Sequence, residues 1–170
     1  TRHWLRRFVR AQNQRHKTRM KIYLAARYSR REELAAYREQ LKAIGHDVQA
    51  RWLDGKHQLS DAGTPIDDQG EALVEGVGDG STNVSNAELR TKFALDDWED
   101  VNAAELVISF TEPPRSKANR GGRHVEYGIA LANRVRVIVV GYRENIFHWL
   151  PVVEFCGTWE EALALCSNAQ

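Results

Sequence analysis

The hydrophobic positions of the chain fall into short apolar runs that alternate with stretches of helical spacing. The first run, Lys21–Ala26, is composed of strand-forming residues. A helix should follow from Ser29, where the spacing of a capping box begins, and should end near Gly45, a typical C-terminal glycine. Residues His46–Leu53 then alternate between polar and apolar. This alternation predicts a second strand.

The second half of the chain repeats the same alternation. Its predicted elements are a helix from Ser85 towards Ala104, a strand at Leu106–Phe110, a helix at about Arg123–Asn133, a strand at Val135–Val140, a short segment around Asn145–Leu150, a strand near Val152–Phe155 and a helix from Thr158. Two of these strands are continuous apolar runs, which is typical of strands buried on both faces. The order predicts an α/β fold with one doubly wound, five-stranded parallel sheet, flavodoxin-like or Rossmann-like.

The segment from Asp54 to about Asn83 is rich in Gly, Asp, Ser and Thr and holds no period for long. Structureless loops of this length are uncommon inside compact domains. Two interpretations stand side by side: a mobile cover over a functional site, or plain disorder.

The basic residues are unevenly distributed. Of the 24 lysines and arginines, seven lie in Thr1–Arg19, which contains no acid, so Met20–Gln170 carries 17 basic and 23 acidic residues and a net charge of −6. The first 19 residues are interpreted as a disordered or appended leader, and the alternative is weak binding to nucleic acid or to charged surfaces. We expect one domain from residue 20 to residue 170, and its acidic character disfavours nucleic acid as a partner.

Several classes of protein are excluded by what the sequence lacks. It has no apolar run of transmembrane length and no secretory signal, so we expect a cytosolic protein without a membrane partner. Its two cysteines, Cys156 and Cys166, have neither the spacing of a zinc site nor that of a disulfide framework. The histidines form no metal-binding motif, and no metal or other cofactor is expected.

Candidate chemistry concentrates in the segment Asn119–Gly128, which follows a predicted strand and opens a helix. Ligands bind at the carboxyl ends of strands in such sheets. The backbone N–H groups at Gly121 and Gly122 suit an anion such as a phosphate, and Arg120 and Arg123 would add charged hydrogen bonds. The alternative is that the glycines serve only packing.

Glu126 stands near the start of this helix. By itself it would be explained by favourable interaction of a carboxylate with the helix dipole. Three other residues change that interpretation: Tyr23 at the end of the first strand, and Asp97 and Asp100 on the preceding helix. Together these groups suggest an acidic site at the carboxyl edge of the sheet.

At this point the sequence resembles the nucleoside 2-deoxyribosyltransferase family and the related nucleoside 5′-monophosphate N-glycosidases. The resemblance spans roughly residues 20 to 165. It rests on Lys21-Ile-Tyr-Leu-Ala-Ala26, Asp97-Trp-Glu-Asp100-Val, Ala104-Glu-Leu-Val-Ile-Ser-Phe-Thr111, Gly121-Gly-Arg-His-Val-Glu126-Tyr-Gly-Ile-Ala-Leu-Ala132 and Val137-Ile-Val-Val140. Its most specific part is a glycine loop, a glutamate, a small-apolar helix and a hydrophobic strand in that order.

The resemblance implies a role for each matching residue. Glu126 corresponds to the nucleophile that attacks C1′ and holds the sugar as a covalent ester until water or a second base displaces it. Tyr23 corresponds to the tyrosine that hydrogen-bonds this carboxylate. Asp97, although Asp96 stands beside it, corresponds to the acid that protonates the leaving base, and Asp100 is placed with the substrate-binding residues. The chemistry requires such groups, because a leaving base must be protonated while a carboxylate faces C1′.

One position departs from the pattern of the base-exchanging transferases. These have an acidic residue six positions before the nucleophile, beside the 5′-hydroxyl of the sugar, whereas here that position is Arg120. Arginine would bind a 5′-phosphate that a carboxylate would repel. The change favours a nucleoside 5′-monophosphate as substrate and leaves hydrolysis and base transfer both open.

Further residues receive two interpretations each. By the resemblance, Asn145 and His148 contact the sugar of a neighbouring subunit, in a homodimer or higher homo-oligomer with shared sites. Otherwise they are a helix start and part of a surface aromatic cluster. Trp52 and Trp98 either stack on a base or pack in the core or an interface. The alternative for the whole protein is a nucleotide-binding sensor without turnover.

Overall fold

The computed structural model describes residues 19–54, 87–113 and 121–167, with the backbone alone for residues 87–90. The strands are β1 (Lys21–Ala25), β2 (Asp47–Val48), β3 (Leu106–Phe110), β4 (Arg136–Val140) and β5 (Val153–Cys156). The α-helices are α1 (Arg31–Ala43), α2 (Ala87–Ala103), α3 (Gly122–Ala132) and α4 (Trp159–Ser167). Short 3-10 turns lie at Tyr28–Arg30, Arg51–Asp54 and Ile146–Trp149.

The five strands form one parallel sheet in the order β2-β1-β3-β4-β5. The predicted fold class is therefore confirmed: the chain has an α/β fold with a doubly wound sheet, in the strand order of flavodoxin-like folds. The chain leaves β1 towards β2 and leaves β3 towards β4, so the two connections diverge between these neighbouring strands. The crevice that opens above their carboxyl ends is where ligands bind in such sheets.

Strand register assigns side chains to the two faces of the sheet. Tyr23 lies beside Val107, and paired residues of parallel strands project to the same face. Phe110, three residues beyond Val107, projects to the opposite face. There its ring lies 5.6 Å from that of Tyr37 of α1, which stacks at 4.3 Å on Trp159 of α4. Helices α1 and α4 thus cover one face of the sheet. Helix α3 covers the other face, where its residue Glu126 accepts a hydrogen bond from Tyr23.

The core follows the apolar runs recognised in the sequence. Every residue of β3 is buried, and β4 is buried except at its first residue. Both cysteines are buried and free, consistent with the absence of a disulfide framework. Removal of this much apolar surface from water is the main stabilising contribution to such a fold.

Two predicted details were wrong. Ser29 does not cap a helix: it lies inside the 3-10 turn, and α1 begins at Arg31 without a side-chain cap. The predicted strand at His46–Leu53 has two residues paired with β1 and then coils into a 3-10 turn. Its apolar alternation is real, since Val48, Ala50 and Trp52 are buried.

In the connection between β4 and β5, where the sequence predicted a short segment around Asn145–Leu150, the chain forms a 3-10 turn at Ile146–Trp149. The interpretations of residues 1–18 and of most of the segment 54–83 lie outside the described residues, as does Ser85. In the part of the chain that is described, no helix combines the length and apolar character needed to cross a membrane.

Candidate active site

Tyr23 and Glu126 meet across the face of the sheet that α3 covers. The Tyr23 hydroxyl donates a hydrogen bond of 2.9 Å to Glu126 Oε1, joining a β1 side chain to one 103 residues later. Burial raises the pKa of Tyr23 well above its ordinary value, and the nearby Glu126 charge raises it further. The phenol therefore stays protonated and acts as a fixed donor. This is the contact that the resemblance implied for these two residues.

The second oxygen of Glu126 has a different environment. Glu126 Oε2 is buried, and among the described residues it has no hydrogen-bond partner. Glu126 is the fifth residue of α3, about one turn in, where the helix dipole is a weaker influence than at the first position. Simple charge complementation of the helix therefore does not account for it. An oxygen of this kind is available to a ligand.

Asp97 of α2 completes the acidic group. Its Oδ1 is buried and likewise has no hydrogen-bond partner among the described residues. Burial, followed by the charges of Asp100 and Asp96, raises the pKa of Asp97 to about 7. Trp98, the next residue of α2, is 55% exposed and so does not pack in the core.

Asp97 and Glu126 influence each other. Burial raises the pKa of Glu126 to about 8, and the Asp97 charge is the next cause, against a lowering by the Tyr23 hydrogen bond. Because ionisation of either carboxyl disfavours ionisation of the other, the two titrate as a pair. The higher pKa of Glu126 places the more strongly held proton on Glu126 in the free chain, so attack by Glu126 would require the form in which that proton lies on Asp97.

Asp96 and Asp100 have a different environment from Asp97. Both are buried, and both accept hydrogen bonds from Arg51 of the 3-10 turn after β2. This pairing favours Asp97 over Asp96 as the acid. It also commits both oxygens of Asp100, predicted to bind substrate, to contacts within the chain.

Gly121 and Gly122 lie exposed at the start of α3. A Cβ atom added at either would meet no described atom within 4 Å, and neither has a positive φ. Neither close packing within the described structure nor an unusual backbone conformation therefore accounts for glycine there. The open surface remains compatible with approach of an anion. Arg120, the predicted phosphate ligand, lies outside the described residues.

Arg123 turns inwards. Its side chain is 2% exposed, and Nη2 lies 2.7 and 3.0 Å from the two carboxylate oxygens of Glu144 in the segment after β4. Glu144 also accepts a hydrogen bond from the backbone of Glu112. Arg123 thus ties α3 to the ends of β3 and β4, a structural position that sequence reasoning, which placed it on a phosphate, did not foresee.

Asn145 and His148 are placed within their own chain. Asn145 accepts a hydrogen bond from the Phe147 backbone and so caps the 3-10 turn, as its structural interpretation stated. His148 is 1% exposed, and its Nδ1 accepts a hydrogen bond from the Glu144 backbone. His148 therefore does not belong to a surface cluster.

Two other features bear on the location of the site. Trp52 is buried and donates a hydrogen bond of 2.9 Å to the Leu24 carbonyl, so its core interpretation is correct. A cavity of about 260 Å³ lies on the opposite face, between Phe110, Tyr37 and Trp159, and none of the predicted site residues lines it. Among the described residues, no cluster of histidine, cysteine and acidic side chains could hold a metal ion.

Comparison with solved structures gives a similarity to a CMP N-glycosidase, BcmB, from Clostridium botulinum. The TM-score is 0.49 and the sequence identity 17%, over 87% of this chain and 98% of that one. No protein-family model matches the chain. No curated protein matches it either. A likeness this weak carries no argument about activity. Any function proposed for the chain therefore rests on the residues of the site.

Proposed function

We propose that the chain cleaves the N-glycosidic bond of a (deoxy)nucleoside or its 5′-monophosphate, with Glu126 as the attacking carboxylate. The observation that carries this proposal is the pair of buried carboxyl groups, Glu126 and Asp97. Each has an oxygen without a described partner and a raised pKa. Buried carboxyls without cationic partners are unfavourable for folding, and strongly shifted pairs of this kind are characteristic of catalytic sites.

In the first half of the reaction, Glu126 attacks C1′ of the sugar. A carboxylate oxygen of Glu126 forms a bond to C1′ as the bond from C1′ to the base nitrogen breaks, and the electron pair of that bond stays on the nitrogen. Asp97 donates its proton to the departing base. Tyr23 keeps the carboxylate oriented through its hydrogen bond. The product is a free base and a glycosyl ester of Glu126.

In the second half, a water molecule or another base takes the place of the first base. Water attacks C1′, the bond between C1′ and Glu126 breaks, and the Asp97 carboxylate accepts the proton of the water. The residues then return to their starting charges. If a second base attacks instead, the result is a new nucleoside, so the same two carboxyls serve hydrolysis and transfer.

For the sugar end of the substrate we propose a 5′-phosphate. This rests on Arg120 in the sequence and on the exposed glycines at the N-terminus of α3, which neither packing nor backbone conformation explains. We expect Gly122→Ala to raise KM roughly tenfold for a monophosphate and to leave KM for the nucleoside unchanged. Equal effects on both substrates would rule out a phosphate contact at this position.

The tryptophan-bearing 3-10 turn after β4 supports a proposal about assembly. Ile146, Phe147 and Trp149 are exposed there, whereas His148 between them is buried. Such apolar patches mark interaction surfaces, and we propose that the chain forms a homo-oligomer through these outward residues. The proposal is contradicted if light scattering at micromolar concentration finds the wild-type chain to be a monomer, with the same mass as the Trp149→Ser variant.

The activity is tested by incubating the protein with a panel of deoxynucleosides, ribonucleosides and their 5′-monophosphates, with and without a second free base, and separating the products. Free base alone identifies a hydrolase, and a new nucleoside identifies a transferase. Glu126→Gln should abolish either product. Tight binding of an intact nucleotide, with no base released over hours, would instead identify a nucleotide-binding sensor.

A further inference from the structure

Arg51 lies on a firmly anchored turn. In Arg51–Asp54, Trp52 and Leu53 are buried, and Trp52 donates its indole hydrogen bond to the carbonyl of Leu24, the neighbour of Tyr23 in β1. The backbone of Arg51 is therefore fixed relative to the strand that carries Tyr23. Its side chain extends from this turn to α2.

The Arg51 side chain connects to three acidic residues of α2. Nη1 lies 2.7 Å from Asp96 Oδ1, Nε lies 2.9 Å from Asp100 Oδ1, and Nη2 lies 3.0 Å from Glu99 Oε2. Nη2 also donates to the Asp96 carbonyl, and the Arg51 backbone N–H donates to Asp100 Oδ2. One residue thus holds a full turn of α2 against the end of β1.

Asp97 lies within that turn but is not among the acceptors. Its charge is felt by Tyr23 and Glu126 on the other side, and its Oδ1 has no hydrogen-bond partner among the described residues. Of three aspartates within five residues, Arg51 therefore pairs two and leaves the third next to the candidate nucleophile.

We propose that Arg51 is a positioning residue for the acid that protonates the leaving base. By orienting and neutralising Asp96 and Asp100, it fixes α2 so that Asp97, and not a neighbour, carries the proton towards the substrate. This inference rests on the proposed function. The inference goes beyond the proposed function because it assigns a role to a residue that does not touch the substrate.

The charged and titratable groups near Asp97 determine the sign of the expected effect. They are Asp96 and Asp100 on its own helix, with Lys92 and Glu99 beside them, Arg51 on the turn after β2, Glu126 on α3 and Tyr23 on β1. Loss of Arg51 leaves Asp100 without its cation and Asp96 with Lys92 alone, which lies 2.5 Å from Asp96 Oδ2. The negative charge that is no longer compensated favours the protonated form of Asp97. Loss of the Asp100 charge has the opposite effect, because Arg51 remains.

The test measures base release as a function of pH for two variants of opposite sign. Activity requires protonated Asp97, so it declines at alkaline pH. Arg51→Gln should move this alkaline limb up by ~0.5 unit and lower kcat about tenfold through loss of alignment. Asp100→Asn should move the limb down. Arg51→Lys, which restores the charge, should return the limb towards its wild-type position.

Arg38→Gln is the matched control. Arg38 pairs with Asp54 at 2.8 Å and contacts neither Asp96 nor Asp100, so its loss should leave the pH profile unchanged. Limbs that stay in place for both Arg51→Gln and Asp100→Asn, with activity reduced in proportion to unfolded protein, would show a merely structural role and overturn the inference. Should Arg51→Gln not fold, Arg51→Lys decides, because it keeps the charge but cannot reproduce the hydrogen bonds to both Asp96 and Asp100: kcat should fall with the limb in place, and a wild-type kcat would overturn the inference.

Failure of the inference and failure of the proposed function give different results. If the wild-type chain releases no base from any substrate of the panel, the proposed function and the inference both fall. If wild type is active and Asp97→Asn removes the alkaline limb, but Arg51→Gln and Asp100→Asn leave that limb in place, the inference alone is overturned.

Discussion

Glu126 and Glu144 are both acidic residues near the carboxyl edge of the sheet, and their surroundings differ. Glu144 receives the Arg123 guanidinium on both oxygens and a backbone N–H from Glu112. Glu126 receives one neutral hydroxyl, on one oxygen, and has no cation among its hydrogen-bond partners in the described structure. The chain therefore satisfies one of these acids fully and the other only in part.

The difference separates an acid with a structural role from one for which we propose a chemical role. A buried carboxylate is tolerated when cations and N–H groups compensate for its lost hydration, as at Glu144. Glu126 has no such cation or N–H group among its hydrogen-bond partners in the described residues, and burial raises its pKa. A substrate that develops positive charge at C1′ would supply the missing interaction in the transition state.

The largest expected effect is that of Glu126→Gln on activity. The amide keeps the shape and the contact with Tyr23 but is not a nucleophile, so base release should fall by at least ~10⁴-fold. Chromatography of the released base measures it. Glu39→Gln, at an exposed acid of α1, is the control and should be fully active.

Asp97→Asn should have the next largest effect. Without the proton donor, base release should fall by about 10²- to 10³-fold for substrates with a poor leaving group. A substrate whose base leaves without protonation should be cleaved almost normally. Equal losses for both kinds of substrate would remove Asp97 from the role of acid.

Glu144, the acid whose charge is compensated, is tested through the stability of the folded chain. Arg123→Met leaves Glu144 buried without its cation and should lower the free energy of unfolding by about 3–5 kcal/mol, measured by urea denaturation. The control is Arg136→Met, which breaks the half-exposed pair with Glu154. That change should reduce stability by no more than about 1 kcal/mol. Equal losses would contradict the structural distinction between the two pairs.

The smallest effect is the pH dependence of stability. The folded pKa values of Asp97 and Glu126 are about 7 and about 8, above their ordinary values of 3.8 and 4.5. Folded chains thus hold more protons than unfolded chains between these limits. The stability associated with these protons is complete below about pH 4 and is lost as pH rises through 7 and 8.

Urea denaturation at pH 5.5 and pH 9 checks this. The double variant Asp97→Asn with Glu126→Gln should lose that part of the decline with pH. A decline of the same size in wild type and double variant would mean that other groups are responsible, and that the two carboxyls are not unusually protonated in the folded chain.

Much of the fold followed from local pattern. The apolar runs of β3 and β4 predicted buried parallel strands because burial on both faces requires them, and the contact between Tyr23 and Glu126 agrees with what the sequence implied. Arg51 and Glu144 were missed because their partners lie far away in sequence, Asp96 by 45 residues and Arg123 by 21. The local spacing of hydrophobic residues carries no information about pairings between such distant residues.

The local errors have local causes. Ser29 has the spacing of a capping box, yet the chain first forms a 3-10 turn there, and α1 starts two residues later. The alternation at Val48, Ala50 and Trp52 is that of a half-buried segment, which a short strand followed by a 3-10 turn satisfies as well as a longer strand. Burial pattern alone does not distinguish the two.

The most direct measurement for the central claim is the mass of the chain during turnover. A deoxynucleoside 5′-monophosphate is mixed with the protein, the reaction is quenched in acid, and the digested peptides are analysed by mass spectrometry. A sugar phosphate on the peptide containing Glu126, absent in Glu126→Gln, is the predicted result. Undiminished base release by Glu126→Gln, with no such adduct in wild type, would contradict it.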